Sequence, residues 1–295
     1  MKLKSKIKNF IKRIVKNESY KDDINLTKIN QGKLLTKQLE NIELKNLNKN
    51  EFKVFSQFGE DSIIQFLIKN IQVSNKKFVE IGVENYEEAN TRFLLENNLW
   101  EGLIIDNSDE NVSYIKKQNY FWKNKIQVLK KFVTRENINS ILKENGFEGE
   151  IGLLSIDIDG NDYWLWQSIE VIKPDILIIE YNAIFGPEEK LTLKYSENFV
   201  RPNKGIYKSL YGASLNALCE LSKKKGYSLV CGNSNGNNAF FVKNNLLNDK
   251  VYEQSVKHCF KENTFKEYLD EKGELNSLKQ VEISKILNSD KIIKV

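Results

Sequence analysis

From residue 56 to residue 243 short apolar runs alternate with stretches of helical periodicity, and a chain with that rhythm has few ways to fold. The runs fall at 77–83, 102–106, 126–133, 151–158 and 175–181. Between them lie helical patterns at 87–98, from Asp109, at 136–143 with Gly146 as the stop, and from Asp162. A further helix precedes the first run: Ser56 is placed to cap it, Glu60 and Asp61 occupy its first turn, and Ile63, Ile64, Leu67, Ile68 and Ile71 share one face. Five such units in series pair their strands in parallel and put helices on both faces of the sheet. After an excursion over 183–212, a helix from Ser214 ends at Gly226, and runs at 227–231 and 239–243 flank a turn rich in Gly and Asn. That is a hairpin, so the last strand of a doubly wound α/β sheet is expected to run antiparallel.

With 295 residues, 40% of them hydrophobic and 29% charged, the chain can bury a sizeable core and lacks the profile of a disordered tail. Its three cysteines, Cys219, Cys231 and Cys259, show no C-x-x-C spacing, which argues against a thiolate metal site and against an oxidising compartment. Nothing in the sequence reads as a membrane span or a secretory signal, so a cytoplasmic protein is expected. The net charge of +5 resides in the first 17 residues: Lys2, Lys4, Lys6, Lys8, Lys12, Arg13 and Lys16 give +7 with no acid, leaving −2 for the rest. The body therefore offers no basic face to nucleic acid, and no such partner is expected. In the same leader Leu3, Ile7, Phe10, Ile11 and Ile14 recur at three- and four-residue spacing. A helix there carries an apolar stripe opposite its lysines, suited either to peripheral contact with anionic lipid or to packing on its own protein or a partner subunit. Residues 18–50 read as a linker with some helix. The organisation expected is a leader and linker over 1–50, an α/β domain over 51–245 and a charged, helical extension over 246–295. Val256, Phe260, Phe265 and Leu269 are that extension's candidate anchors, and it is equally suited to be a dimer arm of a homo-oligomer, a lid or a packed cap.

Ligands of open α/β sheets sit at the carboxyl ends of the strands, so the residues ending each run are the candidates. Gly82 ends the first, where it permits a tight turn and close approach of backbone to a ligand, although the G-x-G-x-x-G spacing of a dinucleotide loop is absent. Asp106 ends the second, 24 residues later, where a carboxylate can accept both hydroxyl protons of a ribose. The fourth ends Asp157-Ile158-Asp159-Gly160-Asn161-Asp162 and the fifth ends Glu180-Tyr181-Asn182. Period-two alternation puts Asp157 with Asp159, and Glu180 with Asn182, so that four oxygen donors are expected at one mouth, a set suited to Mg²⁺ or a similar ion. A calcium loop fails, because its glycine position is Asp162 and its last ligand position is Ser168. The plainer reading is that Asp159, Asn161 and Asp162 only turn the chain and cap the next helix.

The stretches Ser56-Gln57-Phe58-Gly59-Glu60-Asp61, Phe78-Val79-Glu80-Ile81-Gly82, Asn90-Thr91, Ile156-Asp157-Ile158-Asp159-Gly160 and Ile179-Glu180-Tyr181-Asn182 resemble the FkbM-type class I S-adenosylmethionine-dependent methyltransferases over roughly residues 52–245. The resemblance implies a seven-stranded sheet with an antiparallel last strand. It also implies that Gln57, Glu80, Gly82 and Asn90 lie by the methionine part of the cofactor, Asp106 at the ribose, and Phe132 to Thr134 near the adenine. The glycine-rich turn usual in this fold is here Val83-Glu84-Asn85-Tyr86, which implies a tighter cofactor pocket.

An alcohol acceptor must lose a proton as it is methylated, and the one histidine, His258, lies far along the C-terminal extension. Deprotonation therefore falls to Asp157, Asp159 or Glu180, with Tyr181 beside them, or to an alkoxide on a metal. Metal-dependent O-methyltransferases of this fold carry an acid after the fourth strand and an acid with Asn after the fifth, an arrangement that Asp157, Glu180 and Asn182 resemble. Tyr181, Phe185, Tyr207, Tyr211, Ser214, Asn233 and Asn238 are expected to border an acceptor site for a polar ring. With the resemblance, the first acceptor is a sugar hydroxyl of a surface glycan or its nucleotide-activated precursor, ahead of a macrolide-like product or a small phosphorylated compound. The competing functions are a catalytically silent module of a membrane-associated glycan-assembly complex and a nicotinamide oxidoreductase.

Overall fold

The computed structural model describes residues 2–263, 268–270 and 272–295, with side chains from Tyr20 onward. Helix α1 (Lys2–Gln38) leads through two 3-10 turns to α2 (Glu60–Asn70). Then β1 (Lys77–Ile81), α3 (Arg92–Glu96), β2 (Glu101–Asp106), α4 (Asp109–Ile115), α5 (Asn119–Lys123), β3 (Ile126–Lys130), α6 (Ile138–Glu144), β4 (Gly149–Ile156), α7 (Asp162–Ser168) and β5 (Ile172–Glu180) follow one another. A short β6 (Leu191–Leu193) interrupts the excursion before α8 (Leu215–Lys224) and the hairpin β7 (Tyr227–Gly232) and β8 (Asn238–Lys243). Beyond it come α9 (Val256–Cys259), β9 (Tyr268–Leu269), β10 (Leu275–Asn276), α10 (Gln280–Leu287) and β11 (Ile292–Lys294).

The main sheet has seven strands in the order β3-β2-β1-β4-β5-β8-β7. Strands β1 to β5 pair in parallel, and β8 runs antiparallel to both β5 and β7. This is the doubly wound, mostly parallel seven-stranded sheet with an antiparallel strand that the pattern of runs leads one to expect. Alternation along β5 shows why helices cover both faces: Leu177 and Ile179 enter a core with α6, α7 and α8, whereas Ile176 and Ile178 enter a second core with α2 and α4.

Several local expectations give way. Residues 18–50 begin as the second half of α1, not as a linker, because Ile29 packs with Val54, Phe55 and Phe93 and so seats the helix on the body. Ser56 does not cap α2 from its N-cap position, which is Gly59, although its hydroxyl accepts the Asp61 N–H (3.1 Å). The helix expected over 87–98 shrinks to α3, because Glu84 and Tyr86 take left-handed backbone angles and the Glu80 carboxylate claims the N–H groups of Asn90 and Thr91. The C-terminal extension is mixed rather than helical: β9 pairs with β10, and β11 pairs antiparallel with β6. Val256 and Phe260 do anchor it to the main core, Leu269 is half-buried in β9, and Phe265 lies outside the described residues. The leader's stripe residues likewise lie where only the helical backbone is described. No helix among the described residues is long and apolar enough to cross a membrane.

Candidate active site

The carboxyl ends of β1, β2, β4 and β5 open into a cleft of about 550 Å³, lined among others by Gln57, Glu80, Gly82, Glu84, Asn90, Asp106, Phe132, Asp157, Asp159, Asn161, Glu180, Phe199, Arg201 and Asn238. Its first wall starts at Gly82. There φ is +81°, and a Cβ would stand 1.6 Å from the Asp157 carbonyl oxygen. The glycine is thus demanded by the crossing of the β1 and β4 termini, where the sequence suggested close approach to a ligand.

Glu80 lines the cleft but spends its carboxylate on the protein. Oε1 accepts from the Asn90 N–H (2.9 Å), and Oε2 accepts from the Thr91 N–H (3.1 Å) and hydroxyl (2.5 Å). These bonds fasten the 84–91 loop to the strand, and Asn90 in turn reaches Ser155 Oγ at 3.1 Å. Burial pushes the Glu80 pKa up to about 7 against the donors that favour its charge. The sign of the linkage follows: its stabilising contribution is complete below about pH 4.5 and is lost as pH rises through about 7. The thermal midpoint is therefore expected to fall less between about pH 5 and about pH 8 in Glu80→Gln than in the parent chain, measured by circular dichroism melts.

Asp106 ends β2 at the rim, where its Oδ1 accepts from the Ser108 N–H (2.8 Å) and from Asn111 Nδ2 (3.1 Å). Gln57 is exposed at the opposite edge. The surrounding motif is architectural. Asp61 Oδ2 accepts from the N–H groups of Val54, Phe55 and Ser56 (2.7 to 2.8 Å) and from the Ser56 hydroxyl (2.8 Å). Glu60 holds the β7–β8 hairpin by accepting from Asn233 (2.7 Å) and Asn238 (3.0 Å). Thr134 falls outside the lining, its N–H turned to Asn137 Oδ1 (2.9 Å), while its neighbours Phe132 and Val133 face the cleft.

On the far wall Asp157, Asp159 and Glu180 bring one carboxylate oxygen each within 4.8 Å of one another. Asp162 makes this possible from below: fully buried, it accepts from the N–H groups of Ile158 (2.8 Å) and Gly160 (2.9 Å), and Asp159 then takes a left-handed φ of 57°. Burial raises the Asp162 pKa to about 6. It raises that of Glu180 well above the usual carboxylate range, and the charges of Asp157, Asp159 and Asp162 add to the shift while Arg201 opposes it.

Two expected members of this group are elsewhere. Tyr181 points to the other side of β5, where its hydroxyl accepts the Lys261 N–H (3.1 Å) and donates to the Lys261 carbonyl (3.2 Å). Asn182 is buried, and its amide donates to the carbonyls of Ser209 (2.9 Å) and Tyr211 (3.0 Å) while Oδ1 accepts the Ile184 N–H (3.1 Å). Alternation failed here because β5 stops at Glu180 and Asn182 caps a 3-10 turn, so it is no metal ligand. Of the residues expected around the acceptor, Asn238 alone lines the cleft. Phe185 packs beside Leu191 and Leu210, Ser214 caps α8, Asn233 holds Glu60, Tyr211 lies under Arg201, and Tyr207 sits in a separate surface groove against α10. His258 is exposed on α9, outside the lining.

The wall that sequence reasoning missed is residues 199–201. Phe199 lies over Gly160, where a Cβ would come within 2.3 Å of its ring. Arg201 pairs with Asp159, donates Nε–H to the Lys208 carbonyl (2.7 Å) and stacks over Tyr211 at 3.8 Å. Three buried oxygens of lining residues, Glu180 Oε2, Asn161 Oδ1 and Asn238 Oδ1, have no hydrogen-bond partner among the described residues. Both amides are oriented by their nitrogens, which donate to Ser196 O (2.8 Å) and Glu60 Oε1 (3.0 Å).

No protein-family model and no curated protein matches the chain. Similar solved structures include an S-adenosylmethionine-dependent methyltransferase from Clostridium acetobutylicum, 11% identical over 62% of this chain and 90% of its own, with a TM-score of 0.40. An SAH-bound methyltransferase from Podospora anserina is 12% identical over 62% of this chain and 77% of its own (TM-score 0.40). An O-methyltransferase from Bacillus cereus in complex with SAH is 12% identical over 57% and 74% (TM-score 0.36).

Proposed function

We propose that the chain is an S-adenosylmethionine-dependent O-methyltransferase acting on a sugar hydroxyl of a surface glycan or its precursor. The observation that carries this is the charge of the cleft: seven carboxyl groups line it against two cationic side chains, Lys131 and Arg201, so the balance stays negative even with Glu180 and Glu80 protonated. A ligand whose reactive end is a sulfonium beside an ammonium gains from that field, and the diphosphate of a nicotinamide dinucleotide is repelled by it. Asp106 at the end of β2 supplies the ribose contact, and the opposite wall is left for the acceptor. The orphan oxygens of Glu180, Asn161 and Asn238 suit a ligand rich in hydroxyl donors.

Methyl transfer then needs the acceptor oxygen in line with the S–CH₃ bond and a base for its proton. Glu180 is the base in this reading. Three carboxylates this close do not all ionise readily, so the free cleft holds a proton among them. Two positive charges on the cofactor drive that proton out and leave Glu180 able to accept one from the hydroxyl. Asp157, Asp159 and Glu180 are also a donor set that fits one hard divalent cation, which would polarise the acceptor hydroxyl; Asp159 must then exchange Arg201 for it. Turnover that falls in chelator and returns with Mg²⁺ is the outcome expected with a metal, and full activity in chelator removes it.

Calorimetric titration with S-adenosylmethionine and with NAD⁺, each with and without Mg²⁺, tests the reading. Binding of the sulfonium alone supports it, binding of NAD⁺ instead overturns it, and sulfonium binding without turnover on any sugar moves the silent-module reading to first place. Asp106→Ala is expected to weaken that binding about 10- to 100-fold, as loss of a charged hydrogen-bond acceptor does, with turnover at saturation largely kept.

A further inference from the structure

Away from the cleft, a long helix and the corner of the body at α4 and α5 carry chemistry that the cleft does not use. Helix α1 runs unbroken from Lys2 to Gln38. Its second half is seated: Ile29 packs with Val54, Phe55 and Phe93, and Gly32 lies so flush that a Cβ would come within 2.6 Å of Val54. The seat ends at α4 and α5. Lys21 Nζ donates to Glu87 Oε1 (2.7 Å) and to the Tyr114 hydroxyl, and Asn119 donates to Asp22 Oδ2 (2.5 Å). From these contacts the helix continues without a break to Lys2.

That corner is unlike the rest of the surface. Trp122 on α5 is 71% exposed, whereas Trp100 and Trp166 are 2% and 1% exposed. Lys123 Nζ sits over its ring at 5.2 Å, and Lys116, Lys117 and Lys125 are exposed on either side in the chain. The first half of α1 carries the seven cations of residues 1–17 without an acid, and its apolar residues recur at the spacing of one helix face.

We infer that the first half of α1 and the Trp122 corner together dock on an anionic lipid surface. Each part supplies what a membrane interface rewards: apolar residues to enter the acyl boundary, an indole to sit at headgroup depth, and lysines to meet lipid phosphates. Charge favours lipid over a second copy, because a second leader brings seven more cations against the first.

The test is sedimentation of the full chain with vesicles of phosphatidylcholine alone and of phosphatidylcholine with an equal part of phosphatidylglycerol, read together with tryptophan emission. Binding is expected with phosphatidylglycerol only, with a blue shift that is absent in Trp122→Phe, and with release in about 1 M salt, where the screening length drops to about 3 Å. A combined Lys4→Glu, Lys8→Glu, Lys12→Glu variant should bind at least tenfold more weakly, and so should Phe10→Glu, each with an unchanged melting curve. Absence of binding, equal binding to both vesicle types, or binding without a Trp122 shift would overturn the inference. So would a dimer in vesicle-free solution that Phe10→Glu dissolves, since a second copy would then own the stripe.

Discussion

Glu180→Gln is expected to lower methyl transfer by about 10²- to 10⁴-fold, the range a general base contributes, while S-adenosylmethionine still binds. The amide keeps the shape of the side chain at the end of β5 and removes its capacity to take a proton. Calorimetry in buffers of different ionisation enthalpy gives the sharper reading. The parent chain is expected to release a proton as the cofactor binds, because burial and three neighbouring aspartates hold the Glu180 carboxyl well above its usual pKa until positive charge arrives. In Glu180→Gln that release should shrink. Retained turnover in the variant would move the base to Asp157 or Asp159, and loss of cofactor binding would mean that the two halves of the cleft have been exchanged.

Gly82→Ala is expected to cost about 3 kcal/mol of stability, the sum of a left-handed backbone without glycine and an overlap that backbone must absorb. The new methyl group would meet the Asp157 carbonyl at 1.6 Å, and that carbonyl belongs to the strand end that carries the acidic group. Neither partner is a side chain able to swing aside. Relief requires β1 and β4 to part at their carboxyl ends, so the variant should melt lower in a thermal scan and lose both cofactor binding and turnover. A Gly82→Ala variant with the parent's melting curve would show that the crossing is looser than its geometry states.

The fold was legible because its signals are periodic. The five apolar runs, the hairpin around Gly232 and Gly236, and the Ser214 cap each announce themselves within a dozen residues, and each stands where expected. The carboxylates at strand ends were legible for the same reason, since Asp106, Asp157 and Glu180 are fixed by where strands stop. What failed lay beyond the strand stops: Asn182 was placed by alternation that the chain had already abandoned for a 3-10 turn, Tyr181 only by standing next to Glu180, and Thr134 by the family resemblance, four residues after β3 ends. Arg201 was beyond reach of the sequence because nothing in residues 183–212 is periodic, and its position depends on Asp159, Lys208 and Tyr211 meeting in space. The second half of helix α1 was read as part of a linker with some helix because one buried isoleucine and one glycine, not a full apolar stripe, seat it.

The pairing of β6 with β11 gives the two walls of the cleft different resistance to opening. The wall bearing Gly82 and Asp106 hangs from β1 and β2, each hydrogen-bonded on both sides within the seven-stranded sheet. The wall bearing Phe199 and Arg201 follows β6, three residues paired with β11 on one side and bridged to Ala213 on the other, in a ribbon outside the main sheet. A ribbon that small is marginal by itself and opens at a fraction of the free energy of global unfolding. Amide hydrogens of 292–294, on the outer strand of that ribbon, should accordingly exchange far sooner than those of β1 and β4. A bulky ligand could then enter by displacing one edge of the molecule, with the wall on β1 and β2 left assembled throughout.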